Sequence, residues 1–533
     1  MNDKQVYLKS NLVFEPLVDR WYAWTHLISP ATAAMNITGR HMKIINSFIQ
    51  APQVHLAAVN NPKMKGGPFM DIKVGDVDKV ISLKNETLSE QKDLIEFSEA
   101  IKDLESLLRS KATGYSMEPL YAMVPDILKG YVELVYDLNC NPSYRFFEFL
   151  LYNSKYYKES SQSIALWLTN NDERPFCLST PRLDQEDIIN LKIPFASSLI
   201  DDLSKMKKQA GSYEQIKKLL SIDTNQEALF ESFFTLEEPE KYKKYEGDKI
   251  RMRYFGHACI LIETNEISIL LDPLISYYGY QTDVARFSDL DLPDIIDYVL
   301  ITHNHQDHIL FETLLPLRHK IKNIVVPKST SGSLQDPNLA LVFKNVGFKN
   351  VIEIGEMESI EFKGCIITGL PFIGEHSDLN IQTKICHHVR VGEFSMLFAA
   401  DSCIIEPMLY NNVHEIIGDI DVLFLGMECD GAPLTWLYGP LLTDDFSRDK
   451  DQTRRLAGSN FTKGYTLVEI FNPKEVYVYA MGQEPWLEFI SSIKYTPESN
   501  PILQSDMLVN KCIAEGIVAE RLFGEKEIIY TKF

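Results

Sequence analysis

The stretch VLITHNHQDHILF, residues 299–311, joins an apolar run to a loop with four side chains that can bind metal ions. These are His303, His305, Asp307 and His308, which lie within six residues of sequence. Alternate residues of a tight loop can converge on one ion, so His303 and His305 suit one site, while Asp307 and His308 suit a second beside it. The sequence therefore predicts a dinuclear metal centre.

Two later loops offer ligands that such a centre still needs. LPFIGEHSD, residues 370–378, contains Glu375 and His376. SMLFAADSC, residues 395–403, ends an apolar strand close to Asp401, whose carboxylate is placed to bridge two metals. A lone acid or histidine at a strand end is usually an ordinary polar residue, so these positions gain weight only in combination with the first loop.

Composition narrows the class of protein. A chain of 533 residues is expected to form two or three domains, and 45% hydrophobic with 24% charged residues is typical of a soluble globular protein. The sequence has no apolar run of about 18 residues and no signal-like N-terminus, so we expect neither a membrane span nor secretion. Eight scattered cysteines without a C-x-x-C pair suit a reducing compartment, the cytoplasm by default. A net charge of −21 argues against a nucleic-acid substrate.

The polar segment 236–249 is the best domain boundary, which predicts a mixed α/β domain over residues 1–245 and a second domain over residues 246–533. In the first domain, hydrophobic spacing predicts helices over 87–108 and 126–140 and a strand over 163–169. In the second, strand-like runs alternate with helical segments, which indicates an α/β assembly with extensive sheet. Its expected strands include 297–302, 323–327, 364–369, 383–391, 394–399, 421–425 and 475–480.

The metal-binding pattern resembles the metallo-β-lactamase fold over roughly residues 250–485. The resemblance is carried by the His303-x-His305-x-Asp307-His308 loop, by ILLDP with Asp272, and by LFAADS with Asp401. It implies an αββα sandwich with a dinuclear site at one edge of its sheets, and Asp272 as a residue that orients a metal ligand. His257, in FGHACILIE, is either a similar orienting residue or a histidine satisfied within the core, and we favour the core.

Two departures from the usual hydrolase of this fold matter. That enzyme takes a third histidine from a Gly-His loop, where this sequence reads Gly374-Glu375-His376. Its final histidine follows the last strand of the sheet, but here that strand, within residues 475–486, has none, and no histidine follows His414. The expected ligands are therefore His303, His305 and Glu375 on one metal, Asp307 and His308 on the other, and Asp401 between them. More oxygen donors shift preference from zinc toward iron or manganese.

Segments 12–36, 49–69 and 482–486 together resemble the diiron β-hydroxylases of nonribosomal peptide synthesis, which serve antibiotic biosynthesis, and the resemblance extends over the whole chain. It implies two iron ions joined by an oxo or hydroxo bridge, with O2 as cosubstrate and an external electron donor protein. The implied substrate is an amino acid held as a thioester on a peptidyl carrier domain. Glu375 matches the family's extra ligand, and Glu428 matches a family glutamate near the metals. The resemblance therefore implies catalytic roles for both, with Glu428 beside the ligands or as a shifting carboxylate.

The resemblance also gives the N-terminal domain its expected tasks, which are dimerisation, cover of the active site and contact with the carrier domain. Because carrier domains are commonly acidic, we expect a positive patch that includes part of 205–208 or 241–249. Aromatic residues such as Tyr277, Tyr278, Trp436 and Tyr438 are candidates for shaping the pocket.

Two other functions stay open on the sequence. One is a dinuclear zinc hydrolase of the same fold (a lactonase, amidase or phosphodiesterase), which would need His376 rather than Glu375 on the metal. The other is a non-catalytic protein that binds a carrier domain. Bound metal distinguishes them, because zinc has no redox chemistry.

Overall fold

The computed structural model describes residues 4–278, 282–330 and 332–530. Up to residue 235, small sheets and short helices alternate, as the mixed α/β prediction requires. The strands are β1 (Gln5–Leu8), β2 (Leu12–Val18), β3 (Trp21–Tyr22), β4 (Val132–Tyr136), β5 (Pro142–Phe146), β6 (Gln162–Leu168), β7 (Ile189–Leu191), β8 (Gly211–Ser212) and β9 (Phe234–Thr235). The helices are α1 (Thr25–Ile28), α2 (Pro30–Asn36), α3 (Met42–Gln50), α4 (Pro52–Val59), α5 (Val77–Glu90), α6 (Lys92–Lys111), α7 (Glu148–Tyr152), α8 (Ser198–Lys205), α9 (Tyr213–Leu219) and α10 (Glu227–Ser232).

From residue 250 onward, the described residues form two seven-stranded sheets. Their strands are β10 (Ile250–Tyr254), β11 (Ile260–Glu263), β12 (Ser268–Leu271), β13 (Ile296–Leu300), β14 (Ile321–Pro327), β15 (Val351–Ile354), β16 (Ser359–Phe362), β17 (Cys365–Leu370), β18 (Cys386–Val391), β19 (Phe394–Phe398), β20 (Val422–Gly426), β21 (Glu475–Tyr479), β22 (Val518–Arg521) and β23 (Lys526–Tyr530). The helices are α11 (Phe311–Leu317), α12 (Leu339–Asn345), α13 (Pro407–Ile417), α14 (Leu434–Tyr438), α15 (Arg448–Thr453), α16 (Phe461–Phe471), α17 (Glu488–Ser491) and α18 (Asn500–Ala514).

The first sheet has the strand order β15-β14-β13-β12-β11-β10-β23, and the second has the order β16-β17-β18-β19-β20-β21-β22. In both sheets antiparallel hairpins at one side give way to parallel strands joined by helices. The αββα sandwich predicted from the sequence is confirmed, and all seven strands predicted for this half are present within a few residues of their expected limits.

Local sequence explains where the helices of the second sheet start and stop. α13 begins with Pro407 at its first turn, where Glu406 caps it by accepting the backbone N–H of Met408. α16 begins after Asn460, whose side chain accepts the N–H of Lys463, and it ends at Asn472 in the left-handed region.

Buried apolar side chains form three layers. Residues such as Ile262 and Phe398 fill the space between the sheets, and Leu467 lies between the second sheet and its helices. On the far side of the first sheet, Phe311 of α11 belongs to a cluster that continues to Phe14 of β2 in the N-terminal part. Because one hydrophobic cluster crosses from the N-terminal part to the first sheet, the two parts are packed as neighbours in one body.

Segment 236–249 contains no helix or strand, although the boundary placed there stays a prediction. The strand predicted at 163–169 is confirmed as β6, and the helix predicted at 87–108 is split by Gln91 into α5 and α6. The helix predicted over 126–140 is wrong, because this segment contains β4, paired with β5. Val132 and Leu134 alternate with more exposed neighbours at a period of two, and Gly130 has a φ of 83°, which a helix does not allow.

Among the described residues, no helix combines the length and apolarity that a bilayer crossing requires.

Candidate metal centre

Loops from both sheets meet at one edge of the sandwich and bring the predicted ligands together. The 303–308 loop follows β13, Glu375 follows β17, Asp401 follows β19 and Glu428 follows β20. Parallel strands that end at the same edge of a sheet place their following loops side by side. The sequence predicted this convergence because each ligand stands just after a strand-like run.

The first cluster contains two imidazoles and a carboxylate. His303 Nε2 lies 3.2 Å from His305 Nδ1, and Glu375 Oε1 lies 3.0 Å from that same Nδ1. Candidate ligand atoms of the three residues all lie within 4.8 Å of one another, and all three residues are buried. This spacing is what a single metal ion with three protein ligands requires.

Asp401 connects the first cluster to a second. Its Oδ2 lies 3.0 Å from His308 Nε2 and 3.6 Å from His303 Nε2, so one carboxylate faces the expected ligand atoms of both positions. Asp307 and His308 form the second position, and His257 lies beside them. The sequence left His257 open between an orienting residue and a core histidine. It is fully buried, and its Nε2 faces Asp307 Oδ2 at 3.4 Å, which supports the orienting alternative.

Asp272 orients His308, as the sequence predicted. Asp272 Oδ2 accepts the proton of His308 Nδ1 at 2.9 Å, while the backbone N–H and hydroxyl of Thr302 donate to the same carboxylate at 2.8 and 2.6 Å. A carboxylate that fixes the outer nitrogen of an imidazole leaves the other nitrogen free for a metal.

Several residues at this edge have a strained backbone. The residues His257, Asp272, Glu375 and Ala400 all have positive φ, between 36° and 66°. Non-glycine residues adopt this region at a cost and do so mainly at functional sites, where surrounding contacts enforce it. The strained residues either carry site side chains or directly precede one.

The buried carboxylates of the cluster favour the binding of cations. In the described part of the chain, the recorded ion pairs of Asp307, Glu375 and Asp401 are all with histidines, and none is with a lysine or arginine. Asp401 Oδ1 and Glu428 Oε1 are buried without a hydrogen-bond partner. Buried carboxylates are normally paired or coordinate a metal, so this donor set fits two metal cations.

The pKa values of Glu428 and Glu375 are shifted in opposite directions. Burial raises the pKa of Glu428 well above its ordinary value, and repulsion from Asp401 and Asp307 raises it further. Burial alone would also raise the pKa of Glu375, but His305 and His376 lower it to about 2. Carboxylates whose pKa values are driven apart in one cavity are typical of a functional site.

A cavity of about 870 Å³ opens onto these ligands. His305, Asp307, Glu375, Asp401 and Glu428 face its interior. Further lining comes from 63–67 of the N-terminal part, which we call the roof, and from 430–437 and 491–501. Trp436 Nε1 donates to Gly66 O at 2.8 Å and holds the roof to α14. The volume suits a substrate larger than a free amino acid.

Known proteins match the chain along nearly its whole length. Residues 7–239 match the family model of the diiron non-heme β-hydroxylase N-terminal domain, and residues 268–432 match that of the β-lactamase superfamily domain. The 4-amino-L-phenylalanyl-[CmlP-peptidyl-carrier-protein] 3-hydroxylase of Streptomyces venezuelae is 38% identical over 97% of this chain and 98% of its own length. The chain belongs to the diiron non-heme β-hydroxylases.

Solved structures of this family agree with the fold. The crystal structure of CmlA, a diiron β-hydroxylase from Streptomyces venezuelae, matches this β-hydroxylase with a TM-score of 0.93 and 36% identity, over 99% of this chain and 100% of CmlA. A glutamate-to-aspartate variant of CmlA matches with a TM-score of 0.90 and 37% identity, over 98% and 99% of the two chains. The family, the fold and the oxygenase class predicted from the sequence are confirmed, and the hydrolase alternative loses support.

The geometry of this β-hydroxylase also separates Glu375 from His376. Glu375 belongs to the first ligand cluster, whereas His376 Nδ1 lies 3.1 Å from His305 Nε2, the nitrogen that points away from His303. Tyr438 contacts that same nitrogen through its hydroxyl at 3.0 Å. The third group beside His303 and His305 in this cluster is therefore a carboxylate and not His376.

Sequence reasoning missed several residues at the site. His26, in the N-terminal part, stacks on Trp24 and approaches Tyr438, and the Lys63–Gly67 roof covers the cavity. Both lie within segments that carried the family resemblance, but no ligand pattern marks them. Of the aromatic candidates, Trp436 lines the cavity and Tyr438 contacts His305 as described above, whereas Tyr277 donates to Glu312 and Tyr278 is exposed.

Proposed function

We propose that this β-hydroxylase hydroxylates the β-carbon of an amino acid held as a thioester on the peptidyl carrier domain of a nonribosomal peptide synthetase. It would use O2 and two electrons from an external donor protein. The observation that carries the proposal is the carboxylate of Glu375, whose Oε1 lies 3.0 Å from His305 Nδ1 within the imidazole cluster. The Streptomyces relative is named for action on a carrier-bound aminoacyl group, which supports the same substrate class here.

His303, His305 and Glu375 would hold one iron, and Asp307 with His308 would hold the other. Asp401 would contact both, as its position between His308 and His303 supports. Three imidazoles and three carboxylates form a harder donor set than an all-histidine site, which favours iron over zinc. Two iron ions bound there would supply the redox chemistry that places one oxygen atom of O2 in a C–H bond and releases the other as water.

The roof and the cavity walls would keep water away from the reacting carbon. Phe69, Trp436, Leu437 and Leu456 give the walls an apolar surface beside the carboxylate-rich floor. An oxidising site needs this exclusion, because side reactions begin when solvent and oxidant meet without substrate. The N-terminal part would act as the cover that the family resemblance implies.

Glu428 would serve the site as a mobile carboxylate. Its Oε1 is buried without a hydrogen-bond partner and faces the cavity, and burial raises the pKa of this carboxyl group. A buried carboxyl group with a free oxygen can hold a proton near the reacting atoms or turn toward a cation.

The partners would be the carrier domain, the electron donor protein and a second copy of the chain in a homodimer, in the cytoplasm. Two of the three lysines in 205–208 are already paired and contribute little positive charge to a surface for an acidic carrier domain. Lys207 is buried against Asp289, and Lys208 donates to Leu292 O at 2.7 Å. Lys205 and Lys241 are more exposed candidates for the positive patch, although they pair with Asp202 and Glu238 at 3.0 and 3.1 Å.

A direct test of the function uses chemically reduced, iron-loaded protein with a panel of aminoacyl carrier domains under ¹⁸O2. Intact-protein mass spectrometry should show the gain of one labelled oxygen on at least one aminoacyl carrier domain. The free amino acid should give no product, and Glu375→Gln should abolish the gain while the substitution preserves side-chain volume. Equal turnover of free and carrier-bound amino acid would overturn the carrier assignment.

Metal content tests the zinc alternative. Protein from iron-supplemented cells should contain about two irons per chain, because the predicted site has two positions. About two zincs per chain that persist despite iron supply would make hydrolysis the better proposal.

A further inference from the structure

Two histidines face the second metal position. His257 Nε2 and His308 Nε2 lie 3.3 Å apart, and both side chains are fully buried. Both also lie within 4.8 Å of the Asp307 carboxylate. Distance alone would therefore allow either imidazole, or both, to bind a metal ion.

The hydrogen bonds on the opposite nitrogens separate the two residues. His308 Nδ1 faces Asp272 Oδ2 at 2.9 Å, and a carboxylate there can only accept, so Nδ1 carries the proton and Nε2 keeps a free lone pair. His257 Nδ1 instead faces the backbone N–H of Gly482 at 3.1 Å. A backbone N–H can only donate, so His257 Nδ1 is the acceptor and its proton lies on Nε2.

We infer that His257 is a hydrogen-bond donor to Asp307 and not a metal ligand, an inference that rests on the proposed metal positions but not on which metal fills them. A protonated Nε2 has no lone pair for a cation. The Nε2 of His257 has two polar neighbours, His308 Nε2 and Asp307 Oδ2. Because His308 Nε2 is a proposed metal ligand, Asp307 Oδ2 is the acceptor. Asp307, His308 and Asp401 would then hold the second metal without a ligand from His257.

The backbone around His257 is built to hold this orientation. His257 has a φ of 51° and follows Gly256 with a φ of 105°, where an added Cβ would lie 2.7 Å from the Trp486 ring. His257 O also accepts the N–H of Ala480 at 2.9 Å. Residues 480–482 follow β21, the strand at whose end the sequence lacks the expected histidine. In place of a ligand, this loop contributes the N–H that sets the tautomer of His257.

Matched substitutions separate a donor from a ligand. His257→Gln keeps an N–H donor but loses the imidazole, His257→Leu loses both, and His308→Gln is the control that removes a ligand. After anaerobic dialysis against Fe²⁺, and separately against Zn²⁺, we expect about two metals per chain in His257→Gln and about one in His308→Gln. His257→Leu should bind the second metal about 10- to 100-fold more weakly, as loss of an orienting partner does.

Two results would overturn the inference. One is loss of the second metal in His257→Gln to the same extent as in His308→Gln, and the other is unchanged affinity in His257→Leu. If a variant does not fold, ¹⁵N shifts of ring-labelled histidine in the wild-type protein decide the question, and protonated Nδ1 on His257 would refute it. Zinc in place of iron would contradict the proposed function while leaving the donor role of His257 intact.

Discussion

Arg174 joins the N-terminal part to α11, the helix that follows the 303–308 loop. Its guanidinium donates to Glu15 Oε1 on β2 at 2.6 Å, and to both carboxylate oxygens of Glu312 on α11 at 2.8 and 2.9 Å. It also lies 3.8 Å above the ring of Phe489. The side chain is 8% exposed, and the two glutamates are 2% and 5% exposed, so the whole network is removed from water.

Replacing Arg174 with Met would leave a buried carboxylate without its charged partner. Glu312 would retain the hydroxyl of Tyr277, and Glu15 would retain Arg182. Removing one member of a buried ion pair costs about 3–5 kcal/mol, because the other charge stays desolvated. Total stability is about 5–15 kcal/mol, so Arg174→Met should lose a large part of it.

Urea-induced unfolding of metal-free protein, followed by tryptophan fluorescence and circular dichroism, measures this loss. The matched control is Arg145→Met, because Arg145 pairs with Glu133 while their side chains are 46% and 40% exposed. An exposed pair is worth about 0–1 kcal/mol. If the two variants lost similar free energies of unfolding, within about 1 kcal/mol, the argument from burial would be refuted.

Three further changes test other contacts. An added Cβ in Gly426→Ala would lie 2.7 Å from Asp401 Oδ1, so metal affinity measured by chelator competition should fall about tenfold or more. Burial raises the pKa of Glu148 from 4.5 to about 7, so its contribution to stability is fully present below pH 4.5 and is lost as the pH rises through 7. Over this range wild-type protein should lose about 3 kcal/mol more unfolding free energy than Glu148→Gln. Trp436→Phe removes the hydrogen bond to Gly66 O, worth about 1 kcal/mol, so roof amides should exchange about fivefold faster.

For each of these three predictions, a specific result would contradict the argument. Gly75→Ala is the control for the glycine change, since nothing lies within 4 Å of its added Cβ, and equal metal affinity in both variants would contradict the Asp401 contact. Parallel pH profiles for wild type and Glu148→Gln would show that this carboxyl titrates normally. Unchanged exchange at the roof in Trp436→Phe would show that other contacts hold it.

The candidate ligand loops could be predicted because their signal is local. Each candidate ligand stands within a few residues of an apolar strand, and strands of both sheets that end at the same edge bring such loops together. His303, His305, Asp307 and His308 even share one loop, so their proximity needs no knowledge of the fold. The helix predicted at 126–140 failed for the opposite reason, since its identity depends on pairing with β5 rather than on its own residues.

The role of His257 could not be derived from residue types. Its neighbours in sequence are apolar, and FGHACILIE reads as a strand with one histidine buried in it. What distinguishes this histidine from a core residue is the N–H of Gly482, which is 225 positions away. Two glycine-containing turns in distant parts of the chain must fold against each other before the protonated nitrogen is defined.

The contacts that join the roof to the metal site also come from distant parts of the chain, and they meet at the short helix α14. α14 carries Trp436, which binds the roof through Gly66 O, and Tyr438, whose hydroxyl lies 3.0 Å from His305 Nε2. Arg40 of the N-terminal part donates to the carbonyl oxygens of Trp436 and Leu437 at 2.8 and 2.9 Å. The N-terminal part therefore contacts α14 at two points, and α14 contacts a candidate ligand. A continuous path of five residues, Gly66, Trp436, Leu437, Tyr438 and His305, therefore joins the roof to the outer nitrogen of His305. The sequence could not show this path, because its members come from three segments that meet only in the folded chain.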